Sequence, residues 1–265
     1  MSMKLEFRIK NMGFWTRIIF FVFILNSIFQ IPSTYASVVS KPSQYNTNLK
    51  SGLVGWWTMD GADVVNGVAL DKSGNNNNGN LINIATTTFY KPGKIGQAFN
   101  FDGVDDYVKS GTINGSSLTT ISYSFWIKTT KTSGGKIIVW GTVACYINDT
   151  VKKVSCTADG ITSGSTVTLG TVNNGQWHHL VYVVNGNSQN LYLDSVVQTP
   201  ATETLTSPND IVYIGRTGST LSPLNGSLDD VSIYNRVLTI TEIRQLYNLG
   251  QAKVNETPTT NTNIN

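Results

Sequence analysis

The chain has 265 residues, a formal net charge of +3, 13% charged residues, two cysteines and two histidines. Residues 1–36 hold four of the 19 basic residues and one of the 16 acidic ones, so the remainder carries 15 of each. A neutral remainder lacks the basic footprint that phosphate recognition requires, which excludes nucleic acid as an expected partner. Two thiols without a third histidine are too few for a zinc site.

The first predicted element is an export signal. Lys4, Arg8, Lys10 and Arg17 stand against Glu6 alone, ahead of the apolar run IIFFVFILNSIFQI over 18–31 and then Pro32 and STYA. A basic stretch, a short apolar run and small residues before a cut define a secretory signal peptide over 1–36. The run has fourteen residues, Asn26, Ser27 and Gln30 among them, against the ~20 apolar residues that span a bilayer. Cleavage after Ala36 is expected, giving a secreted or surface-exposed protein; a membrane is a partner only if the segment stays as an anchor. Residues 37–50 are polar and aperiodic and read as a linker.

From Gly52 onward, short apolar runs alternate with Gly, Asn, Asp and Ser clusters: LVGWWTM, DKSGNNNNGN, AFNF, DYV, TISYSFWIK, KIIVW, WHHLVYVV, NLYLDSVV, DIVYIGR and LDDVSIY. Many short β-branched and aromatic strands separated by turn signals predict an all-β sandwich or barrel. Repeated strand–helix units never develop, which rules out a doubly wound parallel sheet. Cys145 and Cys156 lie in two strands joined by NDTVKK. Paired antiparallel about Thr150–Val151, they stand opposite each other within disulfide reach, and in an exported protein a bond is expected over two buried thiols.

One helix is predicted over 240–249. Thr239 and Glu242 form a capping box, Leu238 and Ile243 a hydrophobic staple, and Gly250 the stop. Ile243, Leu246 and Tyr247 share its buried face, making it a lid on the sandwich. The tail 252–265 is polar and reads as disordered. One domain over 51–251 is the expected organisation.

GLVGWWTMDG, DKSGNNNNGNL, GKIGQAFNFDGVDDYV, ISYSFWIK, QWHHLVYVVNGNSQNLYLD and LNGSLDDVSIYNRVLTITEI follow one another in the order found in laminin-G-like jelly-roll domains, and the chain resembles that family across nearly all of 52–250. The resemblance places it in the concanavalin A-like lectin/glucanase superfamily. It implies an antiparallel jelly-roll sandwich of two curved sheets with one short C-terminal helix. Two departures are mild: Met59 stands where an aromatic is usual, and Asp194–Ser195 replaces an Asp-Gly turn.

The unusual chemistry is acidic. In LDDVSIY, Asp229 has the parity of Val231 and Ile233, so strict alternation turns it toward the core and Asp230 outward. A carboxylate buried without a partner is costly. Calcium resolves this, since it takes carboxylates, carbonyls and water in irregular loops. The family often carries calcium near such a turn, and the expected site is a structural Ca²⁺ held by Asp102 and Asp229, with Asp105 third. The competing reading for Asp102 is a plain Asp-Gly turn, and for Asp106 a solvated or loop-capping role.

His178 and His179 are adjacent in a strand, face opposite ways and cannot share a metal. Glycoside hydrolysis needs two carboxyl groups across a groove, and after residue 36 only Glu203, Glu242 and Glu256 remain, none in a strand. No catalytic residues are therefore assigned. The expected function is a non-catalytic binding module with carbohydrate as ligand class and a structural calcium. The alternative is an adhesive module that binds a surface protein without glycan. Trp140, Tyr146, Trp56 and the loop NNNNGN (75–80) are weak sugar-binding candidates, each of which core packing or a solvated loop explains as well.

Overall fold

The structure is a computed structural model that describes residues 47–84, 89–115, 117–148, 153–158, 167–168, 170–198, 200–202, 205–206, 208–216 and 222–251. The chain divides into units 1–40 and 41–265, and all described residues fall in the second. The export signal, Thr150–Val151, Glu203, Glu256 and the tail lie outside the described residues. Among those described, no helix is long and apolar enough to cross a membrane.

A helical turn α1 (Thr47–Lys50) leads into β1 (Leu53–Trp57), a 3-10 turn over Gly61–Asp63, β2 (Val64–Val65), β3 (Val68–Ala69) and β4 (Gly79–Ile82). There follow β5 (Tyr90–Pro92), β6 (Gln97–Asp102), β7 (Tyr107–Asn114), β8 (Thr120–Lys128), β9 (Lys136–Trp140), β10 (Val143–Ile147), β11 (Val154–Thr157) and β12 (Val167–Thr168). The chain continues through β13 (Trp177–Asn185), β14 (Ser188–Leu193), β15 (Val196–Val197), β16 (Ala201–Thr202), β17 (Asn209–Ile214), β18 (Asn225–Tyr234) and α2 (Ile240–Gln251). One sheet runs β15-β14-β13-β8-β18-β6-β5, with β1 joined to β18 and β16 to β14; the second runs β12-β11-β10-β9-β17-β7-β4-β3-β2. All pairings are antiparallel. The expected two-sheet sandwich with one C-terminal helix is what forms.

Alternation sorts the side chains. Ile121, Tyr123, Phe125 and Ile127 of β8, and Leu180, Tyr182 and Val184 of β13, enter the core between the sheets. Their neighbours in sequence point outward, where Val181 and Val183 meet Leu238, Ile243 and Leu246 of the helical segment. Cys145 and Cys156 face each other across β10 and β11, are joined by a disulfide and are fully buried.

The fold starts earlier than the expected 51. Leu49 of α1 is buried with Leu53, Tyr234, Leu238 and Ile243. Arg236 ties this start down, donating to the carbonyls of Asn48 and Ser51 and to both oxygens of Glu242. The capping box forms: Thr239 N donates to Glu242 Oε2 at 2.8 Å and Glu242 N to Thr239 Oγ1 at 3.3 Å. Burial works to raise the Glu242 carboxyl, but the hydrogen bonds from Arg236 and Thr239 outweigh it and leave it below the usual range. Gly250 does not stop the helix, which runs to Gln251. It is there for close approach, since a Cβ at 250 would stand 2.3 Å from the Trp126 ring.

The Asp194–Ser195 turn closes with both residues at positive φ, 50° and 66°. Asp194 holds it, accepting from His179 N at 2.9 Å and pairing with the His178 ring at 2.8 Å.

Candidate functional site

The outer face of the first sheet has two halves, and the register sets both. Asp229 on β18 stands beside Trp126 on β8, which stands beside His179 on β13. Two residues along the same strands, Asn100 on β6 pairs with Ser227, Ser227 with Lys128, and Lys128 with Trp177. In the first row Trp126 and His179 lie under α2, and Asp229 under the turn at 93–96. The second row lies beyond this cover and is open.

Beneath the helix, Trp126 stacks on Tyr247 at 5.6 Å between ring centroids and packs against His179 at 4.9 Å. His179 Nε2 is 2.9 Å from Ser124 Oγ. Burial depresses the imidazole pKa to about 3, because a charged ring cannot be solvated there.

Asp229 also belongs to this covered row, which corrects the expected metal site. Its Oδ2 accepts from the backbone N–H groups of Lys94 and Ile95, each at 2.7 Å. The parity argument fails because β18 carries a bulge. Asp229 pairs with Trp126 and Ser232 with Ser124, so one extra residue is inserted, and Asp230 sits at φ 48°. A bulge resets alternation, so Leu228 and Val231 both face the core while Asp229 faces outward. Asp230, expected in solvent, is 6% exposed and accepts from the Trp56 indole at 3.0 Å. Asn225, not Asp229, is the partner of Asp102; Asp229 lies four residues further along, roughly 13 Å away.

The acidic loop keeps Asp102 and Asp105 and exchanges Asp229 for Asp106. Carboxylate oxygens of Asp102, Asp105 and Asp106 lie within 4.8 Å of one another. Asp102 Oδ1 accepts from Val104 N at 2.7 Å and Asp105 N at 3.4 Å, so the turn reading is correct as far as it goes. Asp106 Oδ2 accepts from Asp102 N at 3.0 Å. Asp106 is 6% exposed. Burial raises its pKa, and the charges of Asp102 and Asp105 push the same way against that hydrogen bond. Among the described residues, the Asp105 carboxylate has no hydrogen-bond donor. Three hard oxygen donors in an irregular turn fit a calcium ion. The Asn225 Nδ2 group donates to the Asp102 carbonyl at 2.9 Å, so this loop is joined to the start of β18.

The open row forms the floor of a groove of about 420 Å³ lined by Lys91, Asn100, Lys128, Trp177, Asn225 and Ser227, among others. Trp177 is half-buried and Lys91 and Lys128 are exposed. Ser227 Oγ donates to Asn100 Oδ1 at 3.0 Å. Thr129 Oγ1 donates to the Asn225 carbonyl at 2.6 Å and fixes one wall. Gly226, φ 148°, permits that wall: a Cβ would stand 2.6 Å from the Lys128 carbonyl. The volume is within the roughly 300–1,000 Å³ typical of ligand sites.

The weak sugar-binding candidates have structural roles. Trp140 is wholly buried and donates to the carbonyls of Ile113 and Asp210. Tyr146 is 8% exposed with the Lys136 ammonium 4.2 Å over its ring. In the Asn run, Asn75 and Asn77 donate to carbonyls of Leu53 and Val54, stitching that loop to β1. Sequence reading missed Trp177, whose signal was its parity with His179, Val181 and Val183.

Two antiparallel sheets packed as a sandwich, with one C-terminal helix, define a jelly-roll domain. The family model for concanavalin A-like lectins/glucanases, the third laminin-G family, matches residues 102–244. The chain belongs to that family. No curated protein matches the sequence. Among solved structures, domain 4 of AbnA, an extracellular arabinanase of Geobacillus stearothermophilus in complex with arabinotriose, is 20% identical with a TM-score of 0.57; 74% of this chain and 98% of that one are covered. The binding domain of Paraclostridial Mosquitocidal Protein 1 is 17% identical with a TM-score of 0.57, covering 76% of this chain and 52% of that one. Trypanosoma rangeli sialidase in complex with sialic acid is 16% identical with a TM-score of 0.56, covering 76% and 33%. At these identities the likeness establishes the shared fold.

Proposed function

We propose that the protein is an exported, non-catalytic carbohydrate-binding module whose ligand lies in the groove over Asn100, Ser227, Lys128 and Trp177. The observation that carries this is the uncovered row itself. An indole stands beside hydroxyl, amide and ammonium groups, which matches a sugar's apolar C–H face and polar edge. The arabinotriose complex of a domain with this fold supports the ligand class. No carboxylate lines the groove among the described residues, and Glu242 is occupied by Arg236 and Thr239. Both support binding without hydrolysis, which needs paired acids.

In this reading a calcium ion is held by Asp102, Asp105 and Asp106. When bound, it neutralises their mutual repulsion and stiffens the turn. Because Asn225 joins that turn to the groove wall, the ion serves binding indirectly. Thermal melting and glycan-array binding, each with calcium and with chelator, test both claims. Calcium is expected to raise the melting temperature, by the equivalent of about 2.7 kcal/mol at a hundredfold excess over Kd, and Asp106→Asn to abolish the gain. Trp177→Ala is expected to remove glycan binding without changing the calcium response. Array silence combined with capture of a purified surface protein would favour the adhesive alternative.

A further inference from the structure

We infer that the groove selects an anionic saccharide, one carrying carboxylate or sulfate groups, over a neutral one. The inference rests on the groove being the glycan site. Two lysines belong to its lining, Lys91 from the edge strand β5 and Lys128 from the central strand β8. Neither makes an ion pair or a side-chain hydrogen bond among the described residues, in contrast with Lys72, paired with Asp63 at 2.9 Å, or Lys94, set 5.0 Å over Trp126. The other lining side chains are Asn100, Thr129, Thr130, Asn225, Ser227, Trp177 and Pro92, so no acid competes for the ammonium groups inside the groove.

The placement of the lysines is what makes the groove selective. Lys128 projects from the floor between Ser227 and Trp177, its direct cross-strand neighbours. Lys91 stands opposite Ala98, diagonal to Asn100, at the other end of the row. Strands about 4.8 Å apart put roughly 14 Å between the β6 and β13 ends of the row, which suits an oligosaccharide. A ring stacked on Trp177 therefore presents its substituents to Lys128, and a second ring toward Asn100 presents them to Lys91. For a neutral sugar an ammonium offers ordinary hydrogen bonds; for an anionic one the bonds are charge-assisted and roughly twice as strong. The acidic loop borders Asn225, outside the groove lining; a calcium ion held there offsets its charge, so the titrations are run with calcium present.

The test compares an oligouronate as the free acid with its uncharged methyl ester, and uses a sulfated oligosaccharide without uronate groups as a third probe. Calorimetric titrations at low and high salt use wild-type protein, the K91M/K128M double variant and Trp177→Ala, with thermal melting as the folding control. Expected is a preference of about tenfold or more for an anionic probe over the ester, weakened by salt and lost in K91M/K128M, in which acid and ester bind with equal, reduced affinity. The ratio of free acid to sulfated sugar then assigns the anion. Equal binding of acid and ester, both lost in Trp177→Ala, would overturn charge selection while leaving the groove as the sugar site. Absence of any saccharide binding, or binding indifferent to Trp177→Ala, would overturn the groove reading and this inference with it. Equal affinity for a single-stranded oligonucleotide would overturn it too, by showing a general polyanion surface.

Discussion

Two rows on one sheet, separated by two residues along the same three strands, have opposite fates. Asp229, Trp126 and His179 are at most 2% exposed; Ser227, Lys128 and Trp177 line an open groove. Chemical type does not explain this, since each row has a tryptophan, a cation-capable side chain and a polar group on β18. Coverage does. The helix α2 is anchored by Leu238, Ile243 and Leu246 over Val181 and Val183, and its glycine at 250 seats it on Trp126. It extends no further over the second row. Under the lid, charge must be satisfied internally; beyond it, the same sheet can offer charge and an aromatic face to a ligand.

The largest effect should come from removing the internal acceptor. Asp229→Ala strands the part-buried amides of Lys94 and Ile95 and is expected to cost about 3 kcal/mol. The loss, read by denaturant unfolding, should be the same with calcium and with chelator. A loss confined to calcium-loaded protein would return Asp229 to the metal site and undo the distinction between the rows.

The next effect is a pH dependence belonging to the covered row. The His179 pKa falls from 6.5 when unfolded to about 3 when folded, so between these values the unfolded chain binds the extra proton. Stability is therefore full above pH 6.5 and falls as pH drops toward 3, by up to about 1.4 kcal/mol per pH unit. His179→Gln should flatten the stability profile between pH 6.5 and 5, above the range where the depressed Glu242 carboxyl titrates. An unchanged slope in that variant would show that the ring is not buried neutral.

Much of the architecture was readable in the residues. Period-2 alternation placed β8 and β13 correctly, Thr239 and Glu242 announced the start of α2, and the cysteine spacing anticipated the Cys145–Cys156 pairing. The sites were less readable, for specific reasons. The bulge in β18 rests on Asp230 at positive φ, a conformation any sequence reader assigns to glycine or asparagine first, and it inverts the sidedness of Asp229. Asp106 looked like a solvated turn residue, because its burial depends on how the turn folds back through its bond to Asp102 N. The groove could not be seen along the chain at all: Lys91, Asn100, Lys128, Trp177 and Ser227 span 137 positions and meet only through strand register.

The smallest expected effect draws the comparison most finely, because it sets one tryptophan against another. Trp126 is 1% exposed and has Tyr247, His179 and Gly250 against it; truncating such a ring to alanine costs about 3–5 kcal/mol. Trp177 stands two strand positions away on the neighbouring strand, half-buried, with Lys128 as its cross-strand neighbour. Trp177→Ala removes a ring that is partly packed and partly open to the groove, and is expected to cost about 1–2 kcal/mol of unfolding free energy, less than loss of Trp126. If Trp177→Ala instead unfolded the protein as readily as loss of Trp126 would, the indole would be core, and the groove would lose its aromatic floor.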